Sequence, residues 1–124
     1  NDPVRPHISK EWRTRSGREV YVLDNKGTIE AVLCVAYTDE VPKNEKDMST
    51  PGLDVAVFYT VWSYNKGAGR EIVFQVLDHI KANKPMVDRY VTLSPLTEEA
   101  TRFHQRNGAL NIGIHKDCQN FEYY

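Results

Sequence analysis

A nearly continuous apolar stretch from Leu53 to Val61 (LDVAVFYTV) is the feature that most constrains how this chain folds. A strand with one face in water alternates apolar and polar residues, whereas a strand covered on both faces is apolar along its whole length. We therefore expect a central strand over residues 53–61, in a sheet with packed layers on both sides. The turn that follows, Trp62 to Gly69, contains two glycines and leads into a helical pattern.

The residues after this turn have the spacing of a helix that buries one face. We expect the helix to run from Gly67 or Ala68 to Ala82, with a strand over 89–93 after it. If that strand lies parallel to 53–61, the unit is a right-handed βαβ crossover. The apolar residues that recur at helical spacing are Ile72, Val73, Val76, Leu77 and Ile80.

The residues before the central strand predict a hairpin. β-branched and aromatic residues indicate strands at 19–23 and 28–37, and the turn at 24–27 joins them with Gly27 at a positive φ. Residues 38–52 form a charged loop that is long for a compact domain, so a functional or mobile loop is expected there.

The C-terminal third predicts a second helix and a last pair of strands. Thr97 is placed to cap the N-terminus of the helix, and Gly108 to end it. Strands follow at 109–114 and 118–124. The predicted order, β-β-β-α-β-α-β-β, indicates an α/β (α+β) fold with a mixed, mostly antiparallel sheet and helices on both faces.

Length and charge indicate one domain without a charge-driven partner. The 124 residues predict a single domain over 1–124, with an irregular segment at 1–18, a strand-turn-helix unit at 53–82 and a C-terminal half at 89–124. The net charge of −1 predicts neither nucleic-acid nor membrane binding. We expect a cytoplasmic protein, although a chain that begins at Asn1 and not at Met leaves a preceding targeting segment open.

The cysteines and histidines show no metal-ligand spacing. Cys34 and Cys118 lie in apolar or strand-like surroundings, without a CxxC pair or a neighbouring histidine cluster. We therefore expect two reduced thiols and no metal site.

The glycine-containing turn has the properties of a pyrophosphate site. A helix N-terminus presents unpaired backbone N–H groups and a partial positive charge, and Gly67 and Gly69 let an anion approach the backbone. Lys66 and Arg70 add cationic side chains. The spacing fits neither a Walker loop nor a dinucleotide fingerprint. A tight turn that binds no ligand is the alternative.

This turn resembles the hallmark of the GCN5-related N-acetyltransferase (GNAT) family, [Q/R]-x-x-G-x-[G/A]. Both glycine positions match, and Tyr64 stands where the family has Gln or Arg. The resemblance implies a GNAT-like acyl-CoA N-acyltransferase fold with acetyl-CoA as co-substrate, bound largely by backbone amides. The cofactor-binding residues that it implies are Val61, Tyr64, Asn65, Lys66, Gly67, Ala68, Gly69, Arg70, Ser94 and Thr97.

A second pattern near the C-terminus resembles the family's N-x-x-[N/S/T]-x-x-A-x-x-[F/L]-Y-x-x-x-G-F. Ala100, Phe103 and Gly108 are in register with it, and His104 stands where the family has the tyrosine that acts as general acid. A histidine near its ordinary pKa of ~6.5 can protonate a thiolate, so His104 is a catalytic candidate. A side chain that only packs or forms hydrogen bonds beside the cofactor is the alternative.

Acetyl transfer also needs a base for the amine and a donor for the carbonyl oxygen. The donor is expected to be a backbone N–H at the end of strand 53–61. Tyr59 is a second catalytic candidate, since it lies two residues before Val61 and is expected on the same face; a core or pocket aromatic is the alternative. The other candidates for the base are Asp39, Glu40, Glu45, Asp47 and Asp54.

These features predict an enzyme that transfers an acetyl group directly from acetyl-CoA to an amine of a small molecule or a protein. A non-catalytic GNAT-fold module, binding acyl-CoA or contacting proteins, is the alternative. A homodimer is open, because the final strands of this fold often pair between subunits. The resemblance begins near the family's second strand, so its first strand and helices are expected to be reduced or missing.

Overall fold

Seven strands form one mixed sheet in the computed structural model, which describes residues 5–124. The strands are β1 (Arg18–Asn25), β2 (Thr28–Thr38), β3 (Val55–Ser63), β4 (Arg89–Thr92), β5 (Ser94–Pro95), β6 (Leu110–Ile114) and β7 (Cys118–Tyr123). The helices are α1 (Lys10–Arg13), α2 (Ala68–Asn83) and α3 (Glu98–Arg106), with a 3₁₀ turn at Glu45–Met48. The sheet order is β1-β2-β3-β4-β7-β5, and β6 also pairs with β7.

The structure confirms the predicted order of the main elements. β3 and β4 are parallel, as the crossover requires, and the other pairings between described strands are antiparallel. Gly27 has a φ of 89° in the β1–β2 turn. The prediction differs in the segment expected to be irregular, because α1 forms one helical turn there, capped by the side chain of Ser9. It also differs after β4, where two residues expected in a turn form β5 and pair with β7.

One face of the sheet is covered by α2 and α3. The predicted apolar stripe of α2 is buried, and it packs on residues of the central strands such as Leu33, Phe58 and Phe121. Phe103 of α3 packs against the same cluster. Residues 55–60 of β3 are buried throughout, so the central-strand prediction is confirmed.

The opposite face is covered by the N-terminal segment and the loop after β2. A second buried cluster lies on this face. Ile8 and Trp12 of the N-terminal segment pack against it, and the loop contributes Val41 and the fully buried Met48. This layer stands where the longer helices of a two-sided sheet would lie. The sequence did not indicate it, because its apolar residues are few and follow no period.

A β-bulge in β3 changes which face its residues contact. Cys34 pairs with Thr60, but the next residue of β2, Val35, pairs with Phe58, so Tyr59 is an extra residue on β3. Tyr59 consequently packs in the cluster beneath α1, whereas Val61 packs in the cluster beneath α2. The prediction that these two side chains share a face is therefore wrong.

Candidate active site

A cleft opens where β3 and β4 separate. The parallel pairing runs from Val55 opposite Arg89 to Phe58 opposite Thr92. A last hydrogen bond joins Leu93 N–H to the Phe58 carbonyl at 3.1 Å. Beyond it the chain turns away to pair with β7, and the space left beside β3 is a cleft of about 580 Å³. This volume lies in the range of small-ligand sites.

The walls of the cleft come from four elements: the end of β3, the segment after β4, the first turn of α2 and one face of α3. Val61 of β3 has β2 on one edge, through its pairing with Leu33. Its other edge faces the cleft, because β4 has ended. The lining residues are Phe58, Tyr59, Val61, Trp62, Ser63, Gly69, Leu93, Ser94, Pro95, Thr97, Glu99, Ala100, Arg102, Phe103, His104 and Arg106.

The N-terminus of α2 lies at the edge of this cleft and offers backbone groups. Gly67 is the N-cap residue, with a φ of 85° and no side-chain hydrogen bond to the helix. Ala68 is 6% exposed, and its methyl group belongs to the core. A ligand at this turn therefore meets amide N–H groups, which carry the positive end of the helix dipole.

Gly69 explains why the two sequence patterns occur together. A Cβ at this position would lie 3.1 Å from Cε1 and 3.3 Å from Cζ of Phe103. The glycine of the first pattern thus makes room for the phenylalanine of the second. The contact brings the start of α2 and the middle of α3 together at the cleft.

The polar side chains of the turn point away from a common centre. Tyr64 is 63% exposed, and Asn65 donates to the Glu30 carboxylate of β2. Arg70 donates to the Asn107 side chain at 3.1 Å, beyond the end of α3. Lys66 is exposed. The structure thus assigns the charge of Arg70 to the α2–α3 junction.

The two predicted cofactor residues after β4 have structural partners. Ser94 is buried, and its hydroxyl donates to Thr92 Oγ1 at 2.7 Å. Thr97 Oγ1 accepts the Ala100 N–H at 3.2 Å, which confirms it as the cap of α3. Both residues line the cleft.

His104 is buried at the inner end of the cleft. It is 5% exposed, its ring stacks on Phe121 with centroids 5.2 Å apart, and Nδ1 lies 2.6 Å from the Tyr123 hydroxyl. Burial lowers the pKa of His104 to about 4, so the imidazole is neutral at physiological pH. The expectation that it works near its ordinary pKa is therefore wrong.

The Tyr123 hydroxyl also favours one tautomer of His104. It accepts a hydrogen bond from Asn107 Nδ2 at 3.2 Å, and an amide nitrogen can only donate. The hydroxyl proton is then available to Nδ1 of His104. This arrangement favours the tautomer with the proton on Nε2, and it leaves that nitrogen as the ring's remaining donor.

Tyr59 is 1% exposed and packs against Trp12, with ring centroids 5.3 Å apart. Burial and the neighbouring Cys34 raise the pKa of Tyr59 above its ordinary value. Burial and the contact with Trp12 favour the interpretation of Tyr59 as a core aromatic that also borders the cleft.

The acidic candidates for the base lie outside the cleft lining. Asp39 accepts the Leu53 N–H, and Asp47 accepts the Lys43 N–H, each at 3.0 Å, so both carboxylates order the loop. Glu45 differs because it pairs with Arg5, which reaches the strands of the cleft. The side chains of Glu40 and Asp54 do not line the cleft either.

Sequence reasoning missed most of the α3 wall. Arg102 and Arg106 add two cations to the lining, and Glu99 one acid. Their spacing of three and four residues, together with Phe103, marks one helical face. That spacing was the available signal, but it is equally typical of a solvent-exposed helix face.

Three further expectations concern metals, membranes and thiols. Within residues 5–124, no group of three or more His, Cys, Asp or Glu side chains is placed to hold a metal ion. None of the helices in that same range has the length and apolarity to cross a bilayer. Cys34 and Cys118 are both free and buried, as predicted.

Solved structures with a similar fold include N-acetyltransferases and a larger CoA enzyme. N-acetyltransferase PseH of Campylobacter jejuni superposes with a TM-score of 0.67 at 12% identity, over 92% of this chain and 72% of that one. PseH has also been solved in complex with acetyl coenzyme A. Ribosomal-protein-alanine N-acetyltransferase from Brucella melitensis gives 0.61 at 14% identity, over 91% and 72% of the two chains.

Malonyl-CoA decarboxylase from Agrobacterium vitis gives a TM-score of 0.61 at 20% identity, over 74% of this chain. The chain spans only 28% of the length of that enzyme. The sequence matches no protein-family model and no curated protein. At these identities the similarities establish the fold.

Proposed function

Because the chain has the fold of the GCN5-related N-acetyltransferases, we propose that it binds acetyl-CoA and transfers the acetyl group to an amine. The observation that carries this proposal is the cleft between β3 and β4, with the uncapped N-terminus of α2 at its edge. A narrow slot beside a free strand edge suits an extended amide-containing arm. An exposed helix N-terminus suits the diphosphate attached to that arm.

The pyrophosphate is held mainly by backbone amides in this proposal. The N–H groups of Lys66, Gly67, Gly69 and Arg70 supply the donors, because the Ala68 N–H already donates to the Asn65 carbonyl. Gly67 and Gly69 keep side-chain carbons away from the phosphates. Lys66 adds a mobile charge. Arg102 and Arg106 line the cleft, and they supply cationic charge on the α3 side that Tyr64, in place of Gln or Arg, does not supply.

The pantetheine arm lies along the free edge of β3 beyond the bulge. The Tyr64 N–H donates to the Glu30 carbonyl, and hydrogen-bonded pairs alternate along an antiparallel ladder. Val61 and Leu33 are therefore a non-hydrogen-bonded pair, and Val61 directs its N–H and C=O to the free edge. Ser94 and Thr97 form the facing wall. This is the position in which an arm with two amide groups can extend the sheet by hydrogen bonding.

The reaction joins the amine nitrogen to the acetyl carbon and breaks the bond between that carbon and sulfur. The acetyl group passes directly to the amine, so no covalent enzyme intermediate is needed. The proton lost by the amine ends on the CoA thiol. A backbone N–H on the free edge of β3 stabilises the carbonyl oxygen as it becomes negative. His104 donates a hydrogen bond from Nε2 to the departing sulfur. The negative charge on that sulfur raises the pKa of His104 while it is present.

The similar structures support binding of an acyl-CoA more broadly than they support one reaction. PseH and the Brucella protein are named as N-acetyltransferases, whereas the third is named for malonyl-CoA. A CoA thioester is the common element of an acetyl-CoA complex and a malonyl-CoA enzyme. The acceptor in this proposal is an amine of a small molecule or a protein.

A second candidate function is a non-catalytic module that binds acyl-CoA. It is favoured by two observations: His104 is neutral at rest, and Tyr59 stays protonated. A lowered pKa makes His104 a weak base, and a raised pKa makes the Tyr59 hydroxyl a weak acid, so neither side chain is well matched to proton transfer at neutral pH.

Release of free thiol from acetyl-CoA separates these candidates. We expect amine-dependent thiol release with at least one member of a panel of polyamines, aminoacyl compounds and peptide N-termini, and product mass should increase by one acetyl group. Ala100→Trp should abolish it, because Ala100 lines the cleft. Gln105→Trp, on the exposed side of the same helix, should not. Acetyl-CoA binding without thiol release would favour the non-catalytic module, and absence of binding would contradict both.

A further inference from the structure

Arg5 joins the two strands of the cleft at the point where they separate. It is 7% exposed. Its Nε donates to the Tyr59 carbonyl at 2.8 Å, and Nη2 donates to the Leu93 carbonyl at 2.6 Å. One planar guanidinium therefore spans β3 and the segment that follows β4.

The two carbonyls that Arg5 binds are a consequence of the strand separation. Tyr59 is the bulge residue, and Leu93 is the residue at which the parallel pairing ends. Carbonyls of this kind lose their partners in the ladder, and a buried carbonyl needs a donor. A guanidinium has several N–H groups in a fixed plane, so it can serve both at once. Tyr59 and Leu93 also line the cleft.

The Arg5 guanidinium also has an acidic partner on the loop after β2. Nη1 pairs with the carboxylate of Glu45, which in turn lies 2.7 Å from Nε2 of His7. These contacts lower the pKa of Glu45 against the opposing effect of burial. Arg13 Nη2 donates to the Arg5 carbonyl at 2.8 Å. Charge neutralisation and two anchors thus keep the buried cation in one place.

We propose that Arg5 is a positioning residue for the thioester end of acyl-CoA. Its guanidinium sets the separation of the Tyr59 and Leu93 backbones, and so the width of the cleft floor. The inference rests on the proposed function, since it assigns Arg5 a role in acyl-CoA binding. It makes a distinct claim, because Arg5 acts on the acyl end of the cofactor and not on the pyrophosphate turn.

Two ligands separate this role from a general structural one. Acetyl-CoA occupies the whole site, whereas adenosine 3′,5′-bisphosphate carries only the nucleotide end. For Arg5→Ala we expect acetyl-CoA binding to weaken about 10-fold or more, as for loss of a buried charged hydrogen-bonding group. Binding of the bisphosphate should stay within about twofold of wild type, because the α2 turn is left intact. Methylguanidinium should restore the acetyl-CoA affinity of Arg5→Ala, because it fits the space left by the side chain. It can donate there to the carbonyls of Tyr59 and Leu93 and to the Glu45 carboxylate.

Arg89→Ala is the matched control. Arg89 also ties strands together, with two bonds of 2.8 Å from β4 to the Glu122 carboxylate of β7, but it does not line the cleft. It should leave the affinity for acetyl-CoA unchanged. Arg5→Lys is a second variant for the same test, because one ammonium group cannot span both carbonyls and Glu45. It should also lower the affinity for acetyl-CoA and leave that for the bisphosphate unchanged. If Arg5→Ala does not fold, the comparison is made with Arg5→Lys.

The possible results distinguish the two proposals. If a folded Arg5 variant loses affinity for both ligands equally, or for neither, the positioning role alone is overturned. Failure of methylguanidinium to restore the alanine variant would also count against it. A wild-type protein that binds no acetyl-CoA would overturn the proposed function and this inference together.

Discussion

His104 shows how burial changes the meaning of a sequence pattern. Position alone makes it the counterpart of a tyrosine acid, and its ordinary pKa would suit that role. In the structure it is enclosed by Phe103, Phe121 and Tyr123, with its Nδ1 bonded to a hydroxyl. The residue is therefore a neutral, fixed hydrogen-bond donor at rest.

The pH dependence of stability tests this description of His104. Its pKa of about 4 in the folded chain lies below the ordinary 6.5, so between these values the unfolded chain binds a proton that the folded chain does not. Stability is then complete above the unfolded pKa and falls as the pH drops toward the folded pKa. We expect this residue to remove on the order of 2 kcal/mol from the free energy of unfolding between about pH 7 and about pH 5.

Urea unfolding of His104→Gln at both pH values is the measurement. The variant should be less stable at neutral pH but should lose much less stability on acidification. His79→Gln, on the exposed side of α2, should keep the wild-type pH dependence. An unchanged pH dependence in His104→Gln would show that His104 is not held neutral by the fold.

At the scale of elements, periodic signals were readable and local irregularities were not. The apolar stripe of α2 is buried as predicted, because helix geometry alone places residues at this spacing on one face. The cap at Thr97 follows from local chemistry alone. The bulge at Tyr59 could not be predicted from the sequence, because a strand that is apolar on both faces has no alternation of apolar and polar residues that a bulge would interrupt. The orientation of Tyr59 was therefore beyond the reach of the pattern.

The contact between α2 and α3 gives a prediction at this scale. In Gly69→Ala, the new methyl group would meet Phe103 at 3.1 Å, so the ring must shift, and it borders the cleft. Alanine is favoured over glycine inside a helix by about 1 kcal/mol, which offsets part of the cost of that shift. We expect stability to change by less than about 1 kcal/mol, while acetyl-CoA binds several-fold more weakly.

Calorimetric titration with acetyl-CoA checks this prediction. The double variant Gly69→Ala with Phe103→Leu should recover most of the affinity, because the smaller side chain removes the clash. Phe103→Leu alone is the control for loss of the ring. Wild-type affinity in Gly69→Ala would mean that this contact does not shape the binding site.

At the scale of the whole molecule, the sheet is a platform with two different layers. The α2–α3 layer was predictable from helical periodicity, and it carries the nucleotide side of the proposed site. The layer formed by residues 5–13 and the loop after β2 was not, since it is held by buried arginines and not by an apolar stripe. Arg5 could not be singled out in a polar segment, because its partners are main-chain carbonyls about fifty and ninety residues away.

The two layers meet at the cleft, where the proposed ligand binds. The strands separate after Phe58, α2 begins at the edge of the opening, and α3 forms one wall. Arg5 binds the carbonyls of Tyr59 and Leu93, two residues of the lining. Acyl-CoA is the ligand that we propose for this cleft. The geometry specifies which backbone groups should meet it.

Amide chemical shifts of glycine-labelled protein during titration with acetyl-CoA show whether the ligand meets the backbone of the α2 turn. We expect the N–H signals of Gly67 and Gly69 to move saturably with acetyl-CoA and much less with equal concentrations of ATP or NAD. Gly17 should stay fixed and serves as the internal control, because its carbonyl accepts the Tyr37 N–H at the opposite end of β2. Signals of Gly67 and Gly69 that do not respond to acetyl-CoA, or that respond equally to all three ligands, would contradict an acyl-CoA site at this cleft.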